Sequence, residues 1–122
     1  MNKLNFIKAD KPDCSNATDS GKITVTVREF ITTTLAEKIA TALWNKPEWA
    51  DSIVRFNYDN KIKSDCFNVI ALNETGDVVG GMFCIQNAED AGLWYYGDLF
   101  VVPDYTGKRI SKRLLETAEQ AL

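Results

Sequence analysis

The chain has 122 residues, a length that fits one domain, and its 45% hydrophobic and 25% charged content is typical of a globular protein with its own core. It contains no histidine, which excludes a Ser-His-Asp triad, a Cys-His pair and any zinc site that needs a histidine ligand. The net charge of −3 and the absence of a long apolar run argue against nucleic acid and membrane as partners. The first residues, MNKLNFIKADK, lack the apolar core of a signal peptide, so we expect a cytoplasmic protein.

The N-terminal part of the chain predicts a lead-in, a strand and a helix. Residues 1–21 are polar and predict a loose segment with room for one short strand at 4–8. From Ile23 to Val27, apolar side chains alternate with threonine, which predicts a half-buried strand. Thr34 and Glu37 form a candidate capping box for a helix that carries its apolar residues on one face.

A second short helix is predicted by the spacing of Trp49, Ile53 and Phe56. Pro47 either ends the first helix or opens the second one. The polar segment 57–65 is predicted to be a loop, and core packing is the favoured interpretation of the tryptophans in the helix pair.

Three antiparallel strands are predicted next. Residues 66–72 form a compact apolar run, residues 73–77 supply a hairpin turn, and residues 78–86 form the return strand. The Gly80-Gly81 pair inside the return strand predicts a bulge or a close backbone approach. A second turn then leads into the strand that begins near Leu93.

The three cysteines have no spacing that is typical of a metal site. Cys66 and Cys84 fall in apolar, strand-like runs and are predicted to be small core residues. The remaining one, Cys14, lies in the polar lead-in.

Residues 93–115, LWYYGDLFVVPDYTGKRISKRLL, predict a strand, a tight turn and a helix. The strand should stop at Pro103, which cannot donate to a ladder, and helical spacing of apolar residues begins at Ile110. Lys108, Arg109, Lys112 and Arg113 crowd the helix start, where the macrodipole favours acidic residues instead. Such a basic helix N-terminus suits a bound anion, although a solvated basic face is the simpler alternative.

The segment GDLFVVPDYTGKRISKRLLETAEQAL resembles the acetyl-CoA-binding core of the GNAT family of N-acetyltransferases. The positions that match the family pattern are Asp98, Leu99, Val101, Pro103, Tyr105, Gly107, Lys108 and Ile110. Three positions depart from it: Thr106 replaces an arginine or glutamine, Arg109 a glycine, and Ser111 a small residue. The motif matches cover residues 93–115, and the order of predicted elements is similar to the family over residues 22–122.

The resemblance implies a three-layer α+β fold, with a mixed and mostly antiparallel sheet flanked by helices. Residues 22–122 would form the acetyltransferase domain. A family member continues with a further strand, a helix and a last hairpin, so we expect the sequence to be the first two-thirds of the domain.

The resemblance also implies the site. Asp98 would be the catalytic base, often acting through water in this family; a bracing or substrate-orienting carboxylate is an equal alternative. A backbone N–H near Val101 would be the oxyanion donor, and the usual tyrosine acid would fall beyond residue 122. The residues expected to bind acetyl-CoA are Phe100, Val101, Val102, Gly107, Lys108, Arg109, Ile110, Ser111 and Lys112.

The implied function is acetyl transfer from acetyl-CoA to a primary amine of a small molecule or protein. The alternative is a GNAT remnant that binds CoA or oligomerises without catalysis. The strand 93–102 would have an open apolar edge, which predicts a homodimer, an aggregating fragment or further residues that complete the sheet. Ile110, Leu114 and Leu115 would then lack part of the apolar surface that buries them. The aromatic residues at 94–96 are predicted to be core residues rather than the lining of an acceptor pocket.

Overall fold

The computed structural model describes residues 22–122, which form an α+β fold built on one antiparallel sheet. Within this part of the chain the strands lie in the order β1, β2, β3, β4, with bounds Thr24–Arg28, Cys66–Leu72, Val78–Gln86 and Trp94–Val101. The α-helices are α1 Thr33–Trp44, α2 Ala50–Lys63 and α3 Ile110–Ala121, and 3-10 turns cover Pro47–Trp49 and Pro103–Tyr105. This order confirms the predicted fold class. The predicted lead-in, with its short strand and Cys14, lies outside the described residues.

Strands β2 and β3 pair through the hairpin turn predicted at residues 73–77. The Asn73 side-chain oxygen accepts hydrogen bonds from the backbone N–H of Thr75 at 3.1 Å and of Asp77 at 2.9 Å. Gly76 has a φ of +85°, a conformation that glycine adopts without a Cβ penalty. The predicted bounds of both strands are confirmed.

Helices cover both faces of the sheet. Helix α3 packs on one face, where Val25, Phe67 and Val69 lie in the core with Leu114. Helices α1 and α2 pack on the other face, around residues such as Ile39 and Ile70. Because strands covered on both faces bury both sets of side chains, Thr26 is buried as well, and β1 is not the half-buried strand that alternation predicted.

The start of α1 differs from the prediction by two residues. The N-cap is Thr32, whose hydroxyl accepts a hydrogen bond from the Leu35 N–H at 3.1 Å, so the predicted capping box at Thr34 and Glu37 is wrong. Ile31, just before the cap, and Ala36, in the first turn, are both buried in the same core cluster. Their contact with that core fixes the residue at which the helix begins. Because Thr32, Thr33 and Thr34 are all suitable N-cap residues, the sequence alone could not show which of them caps the helix.

Helix α2 is longer than predicted, because it continues to Lys63 through the segment predicted to be a loop. Asn57 is buried there, and its side-chain amide donates to the Glu29 carbonyl oxygen at 3.2 Å. Lys61 forms ion pairs with Glu29 at 3.0 Å and Asp65 at 2.6 Å. These polar contacts with other parts of the chain stabilise a helix whose sequence has little apolar periodicity.

Helix α3 begins at Ile110 as predicted, but its apolar residues are covered. The side chains of Ile110 and Leu114 are 2% and 0% exposed, and Leu115 is half-buried. They pack on β1, β2 and β3 rather than on a strand beyond β4. The expectation that these three residues lack cover is therefore wrong.

Candidate functional site

Strand β4 contains a bulge at Asp98, next to the turn that leads into α3. Phe100 pairs with Gly81 and Gly97 pairs with Phe83, so Asp98 and Leu99 together lie opposite Met82. Asp98 has a φ of +56°, in the left-handed region. Such a bulge bends the strand and interrupts its ladder, and bulges are common next to active sites.

The sequence did not reveal the extra residue in β4, but the bulge predicted at the glycine pair of β3 is confirmed. Ala71 pairs with Gly80 and Leu72 with Val78, so Val79 is an extra residue directly before that pair. The glycine pair also marks a close backbone approach, the other alternative of the prediction. A Cβ added at Gly81 would lie 2.8 Å from the Phe100 ring, and one at Gly80 would lie 3.1 Å from the Phe100 carbonyl oxygen. Asp98 itself carried a usable signal, because aspartate is among the residues that tolerate the left-handed region.

Beyond the bulge, the backbone of β4 presents a donor at its outer edge. The Val102 N–H donates to the Val79 carbonyl oxygen at 2.9 Å, and Val101 pairs with Gly80. Because hydrogen bonding alternates along an antiparallel pair, the neighbouring Val101 N–H points away from β3. In the described part of the chain no strand lies on that side of β4. The Val102 N–H is thus occupied within the sheet, while the Val101 N–H is open.

The turn between β4 and α3 has two residues in the left-handed region, Gly107 with φ +82° and Arg109 with φ +63°. Arg109 is the N-cap of α3, and no side chain caps the helix. The first intrahelical bond runs from the Arg113 N–H to the Arg109 carbonyl oxygen. The N–H groups of Ile110 to Lys112 precede this bond and have no acceptor among the described residues, as expected at a helix start.

The basic residues at this turn do not all face it. Arg113 turns back to β1, where its Nη1 donates to the Ile23 carbonyl oxygen at 3.1 Å. Lys108 is half-buried, while Arg109 and Lys112 are exposed. Three positive side chains therefore remain beside the open N–H groups, a combination suited to a phosphate.

The other residues predicted to bind acetyl-CoA fall into three environments. Val101 and Val102 pack beside the α3-side core, and the Phe100 side chain lies on the opposite face beside Gly81. Ile110 is buried, so only its backbone faces the turn, while Ser111 is exposed. The backbone and the basic side chains are thus the accessible parts of this predicted set.

A side-chain hydrogen bond attaches the turn between β4 and α3 to the hairpin between β2 and β3. The Asn73 side-chain amide donates to the Tyr105 hydroxyl at 3.3 Å, and the Tyr105 ring packs beside the α3-side core. Tyr105 therefore has a positioning role for the turn, since it holds the 3-10 segment after β4 against β2 and β3.

On the opposite face of the sheet, α1, α2 and strands β2, β3 and β4 border an open cavity of about 500 Å³. Asp98 contributes to its lining, together with apolar residues that include Leu43, Trp44, Phe56 and Leu99. Trp44 is 43% exposed and packs against Trp49, with ring centroids 5.5 Å apart and ring planes tilted by 59°. The prediction that these two tryptophans are core residues is wrong, because they lie at the cavity and on the surface beside it.

The aromatic residues of β4 also differ from the prediction. Trp94 packs on Phe67 in the core, with ring centroids 5.5 Å apart, but Tyr95 and Tyr96 are exposed. Partial burial of the Tyr96 hydroxyl raises its pKa, and the nearby Cys84 and Glu119 raise it further.

Cys84 is buried, and this burial is the main cause that raises the pKa of its thiol to about 12, with a smaller contribution from the charge of Cys66. Both thiols are core groups as predicted, and Cys84 is a poor nucleophile at neutral pH.

Two further findings concern residues 22–122 only. No group of three or more potential acidic or cysteine ligands lies together in a way that could hold a metal ion. None of the helices there has the length and apolar character that a membrane span requires.

Comparison with known proteins agrees with this arrangement. The model of the acetyltransferase (GNAT) family matches residues 32–122, so the chain belongs to the GNAT family. Its fold is similar to that of a GNAT-family acetyltransferase from Staphylococcus aureus Mu50, with a TM-score of 0.56 and 19% sequence identity. The match covers 80% of this chain and 65% of that one, so the chain spans less than two-thirds of the related structure. No curated protein sequence matches.

Proposed function

We propose that this protein is an acetyl-CoA-dependent N-acetyltransferase that acetylates a primary amine. The observation that carries the proposal is the junction of β4 and α3, where an open strand N–H lies close in sequence to a helix start with free N–H groups. A CoA thioester is a long molecule with an amide-containing arm at one end and a pyrophosphate at the other. Its amide-containing arm needs backbone partners at a strand edge, and its pyrophosphate needs a site for an anion.

The residues proposed to bind acetyl-CoA form two groups, one for the amide-containing arm and one for the pyrophosphate. The backbone of Phe100, Val101 and Val102 faces the amide-containing arm, and the Val101 N–H is its open donor. The turn that starts at Gly107 receives the pyrophosphate through the N–H groups of residues 110–112. The side chains that add positive charge there are Lys108, Arg109 and Lys112.

Acetyl transfer then requires a base, an oxyanion donor and an acid. The amine nitrogen attacks the thioester carbonyl carbon, a C–N bond forms, and Asp98 accepts the proton from nitrogen, directly or through water. The Val101 N–H stabilises the negative oxygen of the tetrahedral intermediate. The C–S bond then breaks, and the CoA thiolate takes up a proton from solvent. The amine enters from the cavity that Asp98 lines, on the face opposite α3.

The test is to reverse the charge of the two lysines beside the turn. Lys108→Glu combined with Lys112→Glu should weaken CoA binding at least tenfold, about 1.4 kcal/mol, because attraction to the pyrophosphate becomes repulsion. Calorimetric titration with CoA measures the affinity. Lys46→Glu combined with Lys63→Glu makes the same change in net charge at the ends of α1 and α2, and it should leave the CoA affinity unchanged.

Two outcomes would contradict the proposal in different ways. Equal CoA affinity in both double variants would reject the anion site at the α3 N-terminus. Binding of acetyl-CoA with no acetylation of any primary amine, as shown by the absence of free CoA thiol, would favour the non-catalytic CoA-binding alternative.

A further inference from the structure

The cavity beside Asp98 also defines the kind of amine that fits. Resting on the proposed acetyltransferase function, we infer that the acceptor is a small amine with a single positive charge and an apolar, aromatic body. The volume of about 500 Å³ lies within the range of about 300–1,000 Å³ that is typical of small-molecule sites. A protein substrate would use an extended surface instead.

The walls of the cavity carry large apolar side chains that remain exposed. Trp44 is 43% exposed, Phe56 51% and Leu99 44%, and all three line this one cavity. Phe56 packs on Phe83 with ring centroids 5.0 Å apart, so the rings form a continuous apolar surface. A concentration of exposed apolar surface in one concave place is the usual mark of a ligand site.

The uncharged polar side chains in the lining already have partners within the protein. The Ser52 hydroxyl donates to the Trp49 carbonyl oxygen at 2.7 Å. The Asn68 amide donates to the Asn57 side-chain oxygen at 2.9 Å, and Asn57 also donates to Glu29. An acceptor with several hydroxyl or carboxyl groups would therefore bury groups that find few partners, which disfavours sugars and amino acids.

Asp98 is the one charged residue among the described residues that line the cavity. No donor or cation in the described part of the chain pairs with its carboxylate. Asp98 is exposed beside this apolar wall, and its one negative charge suits one ammonium group. A second ammonium held within this cavity, as in a polyamine, would find no second acidic residue in its lining.

The first test compares primary amines that share the ammonium group and differ in the body. With the full chain and saturating acetyl-CoA, kcat/KM for 2-phenylethylamine should exceed that for ethanolamine and for spermidine at least tenfold. Release of the free thiol of CoA measures the rate. Equal or higher kcat/KM for ethanolamine or spermidine would overturn the inference and leave the proposed acetyltransferase function standing.

The second test uses two exposed aromatic residues of α2. Phe56 lines the cavity, whereas Tyr58, which is 60% exposed, does not. Phe56→Ala should raise the KM for 2-phenylethylamine about tenfold with the KM for acetyl-CoA unchanged, and Tyr58→Ala should change neither. Leu43→Ala provides a second cavity variant if Phe56→Ala unfolds. An unchanged KM for the amine in a folded cavity variant would overturn the inference.

A binding experiment separates this inference from the proposed activity. Trp44 lies in the cavity wall, so 2-phenylethylamine should change the tryptophan fluorescence and ethanolamine should not, and Trp44→Phe should abolish the change. A change in fluorescence without acetyl transfer would support an aromatic amine as the ligand of the cavity and reject the acetyltransferase function. The absence of both binding and transfer would reject both.

Discussion

At the scale of single residues, Arg109 occupies a position where the backbone itself favours glycine. Its φ of +63° lies in the left-handed region, which costs an ordinary L-residue roughly 1–2 kcal/mol. The sequence showed that Arg109 replaces a glycine of the family pattern, and the structure gives the reason for that glycine. A guanidinium beside the open N–H groups of α3 can bind phosphate with two parallel hydrogen bonds, which offsets the strain when CoA is bound.

Replacing this side chain should separate stability from affinity. In Arg109→Gly, relief of backbone strain and the greater entropy of the unfolded chain oppose each other, so the free energy of unfolding should change by less than about 1 kcal/mol. CoA affinity should fall about tenfold because a phosphate contact is lost, as calorimetry would measure. Arg109→Lys keeps the charge and should bind CoA with intermediate affinity. Tighter binding of Arg109→Gly would mean that the side chain blocks the turn, and an unchanged affinity would place it in solvent.

At the scale of elements, the strands and turns were easier to predict than the helices. The bounds of β2 and β3 and the start of α3 follow from apolar runs and glycine-containing turns, which are local signals. Helix α2 was predicted too short because it depends on contacts distant in sequence, such as the one from Asn57 to Glu29. The bulge in β4 was missed because register depends on the pairing of two strands and not on either alone.

The contribution of Asn57 to α2 can be measured directly. Its side chain is buried and joins α2 to Glu29 and to Asn68 of β2. Asn57→Ala should lower the free energy of unfolding by about 1–3 kcal/mol, because buried partners lose their hydrogen bonds. Urea unfolding followed by circular dichroism gives the value.

Asn60 provides the matched control for this measurement. Its amide donates only to the Phe56 carbonyl oxygen of the same helix, at 2.8 Å. Asn60→Ala should therefore change stability by less than about 0.5 kcal/mol. Equal losses in the two variants would show that the contacts of Asn57 with other elements do not stabilise α2.

At the scale of the whole molecule, the candidate site lies on both sides of β4. The aromatic residues of this region could not be assigned from sequence, because burial of Trp44, Trp49, Tyr95 and Tyr96 depends on which faces the helices cover. The cavity on one face and the basic turn near the other were therefore not foreseen as separate environments. Asp98, in the bulge of β4, lines the cavity, whereas Lys108 lies in the basic turn after β4.

Strand β4 is an edge of the sheet formed by residues 22–122, and Tyr95 is 51% exposed on it. Open backbone groups on such a strand promote pairing with a second strand, so we expect the chain to self-associate. Tyr95→Lys should weaken this association, because charge on an edge strand opposes pairing, while Tyr58→Lys on α2 should not. Sedimentation velocity over a range of concentrations measures it. A monomer at every concentration would contradict the prediction.

The bond from Arg113 to Ile23 joins residues that are 90 positions apart. It has a consequence for the order in which the molecule folds. The face of the sheet under α3 cannot close until residues 110–121 leave the ribosome, although its strands are synthesised much earlier. Until then Val25, Phe67 and Val69 lack the cover that α3 gives them in the folded chain. During synthesis this protein therefore passes through a period in which that apolar face is open to chaperones, and the arrival of α3 ends it.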